Sequence, residues 1–187
     1  MEGALKAMLG VSLLNQTADE NLVRDLKRFS AAVHDAVHQT VRKSHTPNPN
    51  LYAMEMGFCT IDFPSRQIQF LGAGITLYIL RADGTLESRM PYKDGVGSRT
   101  YDPAAPESHT LSLGVGDRCF MASDGFRDQF GGEFGKKNGR KNVELWLKEC
   151  HNRPFSECEP LLRRRFLDWR GNFEQIDDVT VIGFQPF

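Results

Sequence analysis

From Met54 to Ala122 the chain is made of short apolar or alternating runs cut by turn residues. Runs this short can satisfy their backbone groups only by pairing as strands. They are Met54 to Phe63, Gln67 to Gly72, Ile75 to Arg81, Thr85 to Met90, His109 to Leu113 and Arg118 to Ala122. Pro64-Ser65-Arg66, Gly72-Ala73-Gly74, Ala82-Asp83-Gly84 and Gly114-Val115-Gly116-Asp117 punctuate them. The Asp83-Gly84 step predicts a tight hairpin between two of the runs. Lys93 to Glu107 reads as a polar, proline-containing loop.

Helical spacing flanks this region. Leu5, Met8, Leu9, Ser12 and Leu13 begin the chain with one helix. Thr17 with Glu20 reads as a capping box opening a second, whose apolar stripe is Leu22, Leu26, Phe29, Val33, Val37 and Val41. His45 to Asn50 reads as a loop. After the strands, Lys141 to Cys150 carries Val143, Leu145, Trp146 and Leu147, and Phe155 to Trp169 carries Leu161, Leu162, Phe166 and Trp169. Val179 to Phe184 reads as a closing, buried strand. Helices segregated from hairpins predict an α+β fold with helix layers on antiparallel sheet, in one domain over residues 1–187.

Composition narrows the function classes. Lys and Arg total 23 against 24 Asp and Glu, a net charge of -1, which argues against a nucleic-acid or anionic-membrane partner. No apolar run approaches the roughly 20 residues needed to cross a bilayer, and no secretory leader is visible at the start. Cys59, Cys119, Cys150 and Cys158 form no C-x-x-C pair and read as buried, reduced thiols of a cytoplasmic protein.

Two acidic sites stand at the polar ends of apolar strands. One is Ser123-Asp124-Gly125 after Arg118 to Ala122; the other is Asp177-Asp178 before Val179 to Phe184. Two such strands side by side would bring the carboxylates to one sheet edge, where they repel unless a proton or cation lies between them. Hard oxygen ligands suit Mg2+ or Mn2+ rather than zinc. Spacing alone leaves the blander alternative open, since Asp-Gly is a common turn and Asp-Asp a common solvated cap.

Ala122 to Gln129 resembles the Ser-Asp-Gly motif of the type 2C metal-dependent protein phosphatases, and Asp177 to Ile182 resembles their closing Asp-Asp/Asn-x-Thr motif, in the same order. Gly57 to Gly84 and Met8 to Asn15 are similar to the bacterial sporulation stage II protein E-like subfamily, which includes regulators of sigma-factor partner switching. The resemblance implies antiparallel sheets sandwiched by antiparallel helix layers. It also implies hydrolysis of phosphoserine or phosphothreonine by a metal-activated water, with two Mn2+ or Mg2+ ions and no covalent enzyme intermediate. Asp124 and Asp177 then correspond to metal ligands. Gly125 lets the backbone turn beside them, and Asp178 is a structural partner. The implied partner is a phosphorylated anti-sigma-factor antagonist-like protein.

The family carries an Asp-x-x-Gly-His-Gly motif just ahead of its first helix, and the sequence given opens at Met1-Glu2-Gly3-Ala4 instead. The resemblance therefore implies an N-terminally truncated domain whose N-terminal strands are missing, with a homodimer through exposed sheet edges as one consequence. It leaves two functions to weigh: an active phosphatase, or a catalytically impaired partner-binding module.

Other features read as structural. Asp117 reads as a turn or strand-start residue, and Arg163-Arg164-Arg165 as the wet face of a helix. His34-Asp35-Ala36-Val37-His38 imitates a zinc-binding helix but reads better as solvated helix residues. Gly131 to Lys141 reads as a flexible basic loop leading into a helix, with a substrate flap through Lys136 and Lys137 as the alternative.

Overall fold

A computed structural model describes residues 2–19, 22–43 and 53–187. Its contacts divide the chain into two compact units, residues 1–74 with 90–112, and residues 75–89 with 113–187.

The first unit carries helices α1 (Glu2–Thr17) and α2 (Leu26–Lys43) with strands β1 (Met56–Asp62), β2 (Gln67–Ala73) and β5 (His109–Ser112). The strands form one antiparallel sheet in the order β1-β2-β5. The stripe on α2 is buried as its spacing predicts: Leu26, Phe29, Val33 and Val37 are each at most 7% exposed. Leu26, Phe29 and Val33 pack with Phe58, Leu71, Val96 and Tyr101. The side chains of Val41, Leu5, Met8 and Leu9 lie outside the described residues, as do the loop at His45 to Asn50 and Glu20 of the expected capping box. Thr17 ends α1 instead. The α2 cap is Asp25, whose Oδ1 accepts the Arg28 N–H at 3.2 Å and satisfies a donor left free in the first turn.

The expectation of solvated histidines on α2 is corrected. His34 and His38 are half-buried, with ring centroids 4.4 Å apart. His34 stacks on Tyr101 at 5.0 Å, and its Nδ1 accepts the Gly97 N–H at 3.2 Å. That bond requires an unprotonated Nδ1, and burial, then His38, holds the His34 pKa below its ordinary value.

The second unit is a four-stranded antiparallel sheet, β4 (Leu86–Arg89), β3 (Leu77–Leu80), β6 (Arg118–Ala122) and β9 (Val181–Phe184), in that order. The Asp83-Gly84 turn closes the β3–β4 hairpin. Gly84 takes φ +88°, its N–H reaches the Arg81 carbonyl at 2.9 Å, and Asp83 Oδ1 accepts the Thr85 N–H at 2.8 Å. Helices α4 (Gly139–Lys148) and α5 (Cys158–Arg170) cover this sheet. Val143, Trp146, Leu147, Leu162 and Phe166 pack with Tyr78, Leu80, Phe120 and Phe126. Leu145 departs from its expected place. It lies two residues from Val143 and Leu147, about 200° around a helix from each, and is 57% exposed.

Two further expectations are corrected. β9 is an edge strand rather than a buried one, because among the described residues it pairs only with β6, and Ile182 is 52% exposed. Gly131 to Lys141 is not an irregular loop. It holds most of the hairpin of β7 (Phe130–Gly131) and β8 (Lys136–Lys137), after which α4 begins at Gly139. All four cysteines are free; Cys119, Cys150 and Cys158 are buried as expected, while Cys59 is half-buried.

Asp117 does more than start a strand. It is 4% exposed. It accepts N–H groups from Gly114 at 2.8 Å and Ala82 at 2.9 Å, and the Arg81 guanidinium at 2.7 Å. Burial alone would raise its pKa, but these donors prevail and hold it below the usual carboxylate value. Asp117 thus ties the β3–β4 hairpin to the start of β6. Arg163 and Arg165 are exposed and pair with Glu159 and Glu149, as befits a wet face.

Candidate metal centre

The register of β6 against β9 decides where the two acidic motifs meet. Ala122 stands opposite Val181, and the Ser123 N–H continues the ladder to the Thr180 carbonyl at 2.9 Å. The chain leaves β6 at Ser123 and enters α3 (Asp124–Asp128), with Asp124 as its first residue. The opposing strand arrives through Asp177, Asp178, Val179 and Thr180. Both motifs therefore lie at the same end of one antiparallel pair.

Ser123 fastens that end. Its hydroxyl donates to the Asp178 carbonyl at 3.2 Å and accepts the Thr180 N–H at 3.0 Å. Ser123 and Thr180 are the Ser and the Thr of the two resembled motifs, but the sequence does not show that they bond to each other. The signal that could have marked them is position: each lies where its strand stops and the partner motif begins.

Gly125 is required for a reason other than a turn. Its φ is not in the left-handed region, and it sits inside α3. A Cβ there would collide with the carbonyl oxygen of Asp178 and stand 3.3 Å from the Cβ of Asp177. Glycine allows the Asp177-Asp178 backbone to close directly on the first turn of α3.

This contact brings Asp177 beside the residue that follows Asp124. Asp177 Oδ1 accepts the Asp178 N–H at 2.8 Å, which fixes the carboxylate against its own backbone. Gln175 Nε2 donates to the Asp177 carbonyl at 2.9 Å. Asp124 is half-buried, and its side chain forms no hydrogen bond or ion pair with another described residue. Asp178 joins the motifs through its carbonyl, while its side chain is exposed.

The donor set fits a hard divalent cation. One carboxylate exposed and one half-buried would leave room for the waters that Mg2+ retains. Among the described residues no group of three or more His, Cys, Asp or Glu could hold a metal.

Lys136 and Lys137 are exposed on β8. Lys137 Nζ lies 3.1 Å from Asp128 Oδ2 at the end of α3. Burial would raise the Asp128 pKa, but bonds from Lys137 and Arg127 outweigh it and hold the group low. Lys136 stacks over the exposed Phe134 ring at 5.7 Å.

Solved structures share this fold. The chain superposes on the SiaA-PP2C domain of Pseudomonas aeruginosa with a TM-score of 0.79 and 21% identity, over 98% of this chain and 69% of that one. Against the PP2C phosphatase domain and regulatory fragment of SpoIIE from Bacillus subtilis the values are 0.64 and 19%, over 97% and 48%. The RsbU and RsbW domains of a Mycobacterium tuberculosis protein give 0.66 and 19%, over 97% and 49%. The chain thus spans about two thirds of the first and about half of the other two. No curated protein sequence matches significantly. The family model of Stage II sporulation protein E matches residues 1–186. The chain belongs to that SpoIIE family and has the PP2C-type serine/threonine phosphatase fold.

Proposed function

We propose that this chain is a metal-dependent phosphoserine/phosphothreonine phosphatase domain in which Asp124 and Asp177 hold Mn2+ or Mg2+. The observation that carries the reading is the closure of the Asp177-Asp178 backbone onto Gly125, which makes the two acidic motifs neighbours. A divalent ion bound there supplies an acidified water and positive charge for the phosphoryl oxygens. The protein's own part is positioning. Ser123 locks the two strand ends, Asp178 lends its N–H to orient the Asp177 carboxylate, and Gly125 keeps the approach short. Lys136, exposed and without an ion-pair partner among the described residues, is the cation on the β7–β8 hairpin best suited to meet a phosphorylated partner.

The relatives support a partner class. One solved structure joins RsbU and RsbW domains in a single protein, and another is a cell-fate determinant. They support a phosphorylated regulatory protein of the anti-sigma-factor antagonist kind as substrate. No described helix is long and apolar enough to cross a membrane. The open outer edge of β9 supports self-association, which light scattering on a sizing column would read.

The test is phosphate release from a phosphoserine protein substrate with Mn2+. Asp124→Asn and Asp177→Asn are each expected to lower it at least about a hundredfold, without loss of fold by circular dichroism. A second reading, a partner-binding module without turnover, draws on there being no group of three or more His, Cys, Asp or Glu suited to a metal among the described residues. It predicts partner binding that Asp124→Asn leaves unchanged, with no phosphate released by the native chain.

A further inference from the structure

Residues 171–178, which carry Asp177, are exposed at every position. A stretch of this kind keeps one shape only if it is tied at both ends. Downstream the tie is Ser123 with Asp178 and Thr180. Upstream it is Gln129, five residues beyond Asp124. The Gln129 side chain is fully buried, and its Nε2 donates to the Glu174 carbonyl at 2.9 Å and to the Phe130 carbonyl at 2.9 Å. Its own carbonyl accepts from Trp169 Nε1 at 3.1 Å and from the Asn138 N–H at 2.9 Å, so the residue that grips is itself held.

We infer that Gln129 is a positioning residue of the metal centre, fixing Asp177 relative to Asp124 through the Glu174 carbonyl; this rests on the reading of Asp177 as a ligand. The energetics support a role beyond stability. Gln129 Oε1 is buried with no hydrogen-bond partner. An unsatisfied buried acceptor costs about 1–3 kcal/mol, so packing alone would favour an apolar side chain of similar length. What the amide supplies is a pair of donors, one of which holds the exposed segment three residues ahead of Asp177. Asp124 opens α3 and Gln129 closes it, so the five-residue helix acts as a spacer between one ligand and the clamp on the other.

The test compares Gln129→Met, which keeps length but removes both donors, with Val143→Ala, a core truncation in the same unit. Mn2+ affinity is read by electron paramagnetic resonance, and the exchange of residues 174–178 by hydrogen–deuterium mass spectrometry. Gln129→Met is expected to weaken Mn2+ binding about tenfold and to speed exchange in that segment about tenfold, while Val143→Ala changes neither. Unchanged exchange in Gln129→Met, or equal acceleration in Val143→Ala, overturns the inference. A native chain that takes up no Mn2+ defeats the metal reading and with it the role of Gln129 at a metal centre, while the exchange comparison separately decides whether Gln129 holds the Asp177 segment. If Gln129→Met does not fold, the native chain serves. The Gln129 side-chain amide and the Asp178 N–H should then show one common opening in a denaturant series by NMR. A protected Gln129 amide beside a freely exchanging Asp178 N–H overturns the inference.

Discussion

Gly125 and Asp178 approach so closely that no side chain fits between them: a Cβ on Gly125 would lie 3.2 Å from the Asp178 carbonyl carbon and closer still to its oxygen. The obstacle is backbone, which cannot swing aside as a long side chain can. Gly125→Ala must therefore push the Asp177-Asp178 segment away from α3. Overpacking of this kind costs about 1–3 kcal/mol. The expected outcome is a lower midpoint in urea together with loss of Mn2+ binding, and Gly125→Ala binding metal like the native chain would contradict it.

Ser123→Ala removes the hydroxyl that bridges Asp178 and Thr180. Each neutral hydrogen bond contributes about 0.5–1.5 kcal/mol, so a loss of about 1–2 kcal/mol is expected. The ladder bond from the Ser123 N–H to Thr180 survives, so the strands stay paired. Denaturant titration measures the loss, and exchange at Thr180 should rise with it.

Asp117→Ala should be far more damaging than its surface-turn sequence suggests. It leaves the Gly114 and Ala82 N–H groups without their acceptor and Arg81 without one of its two carboxylates. Removing one partner of a buried pair costs about 3–5 kcal/mol. Because the Asp117 pKa is lowered in the folded state, its contribution is present above the unfolded value of about 3.9 and lost as pH falls through the folded one. Acid unfolding of the native chain should therefore steepen below about pH 4, and Asp117→Asn should flatten that limb.

His34 gives a second pH dependence, in a higher window. Its folded pKa lies below the ordinary value of 6.5, so the unfolded chain takes up a proton that the folded chain refuses. Stability is complete above the unfolded value and declines as pH falls from about 6.5 towards the folded pKa. Protonation would also break the bond from Gly97. The melting temperature should drop between pH 7.5 and 5.5, and His34→Asn should reduce the slope.

Much of this was legible in the sequence because it depends on neighbours. Strand runs, the Asp83-Gly84 hairpin and the α2 stripe follow from periodicity and turn chemistry. The misses share one cause. Val179 to Phe184 is apolar enough for a central strand, yet its place at the edge depends on which strands lie beside it. The capping box at Thr17 satisfied a local pattern, but α2 starts at Leu26, where Phe29 can be buried. His34 looked solvated because Tyr101 and Gly97 are far along the chain.

The sequence by itself determined the two acidic motifs, their order and their attachment to strand ends, since these are properties of adjacent residues. Only the tertiary structure decided that β6 and β9 are partners, that Gly125 must admit the Asp178 carbonyl, and that a buried glutamine holds Glu174. Those relationships join residues about fifty positions apart. They are fixed by strand register and by packing in three dimensions, to which local propensity is blind.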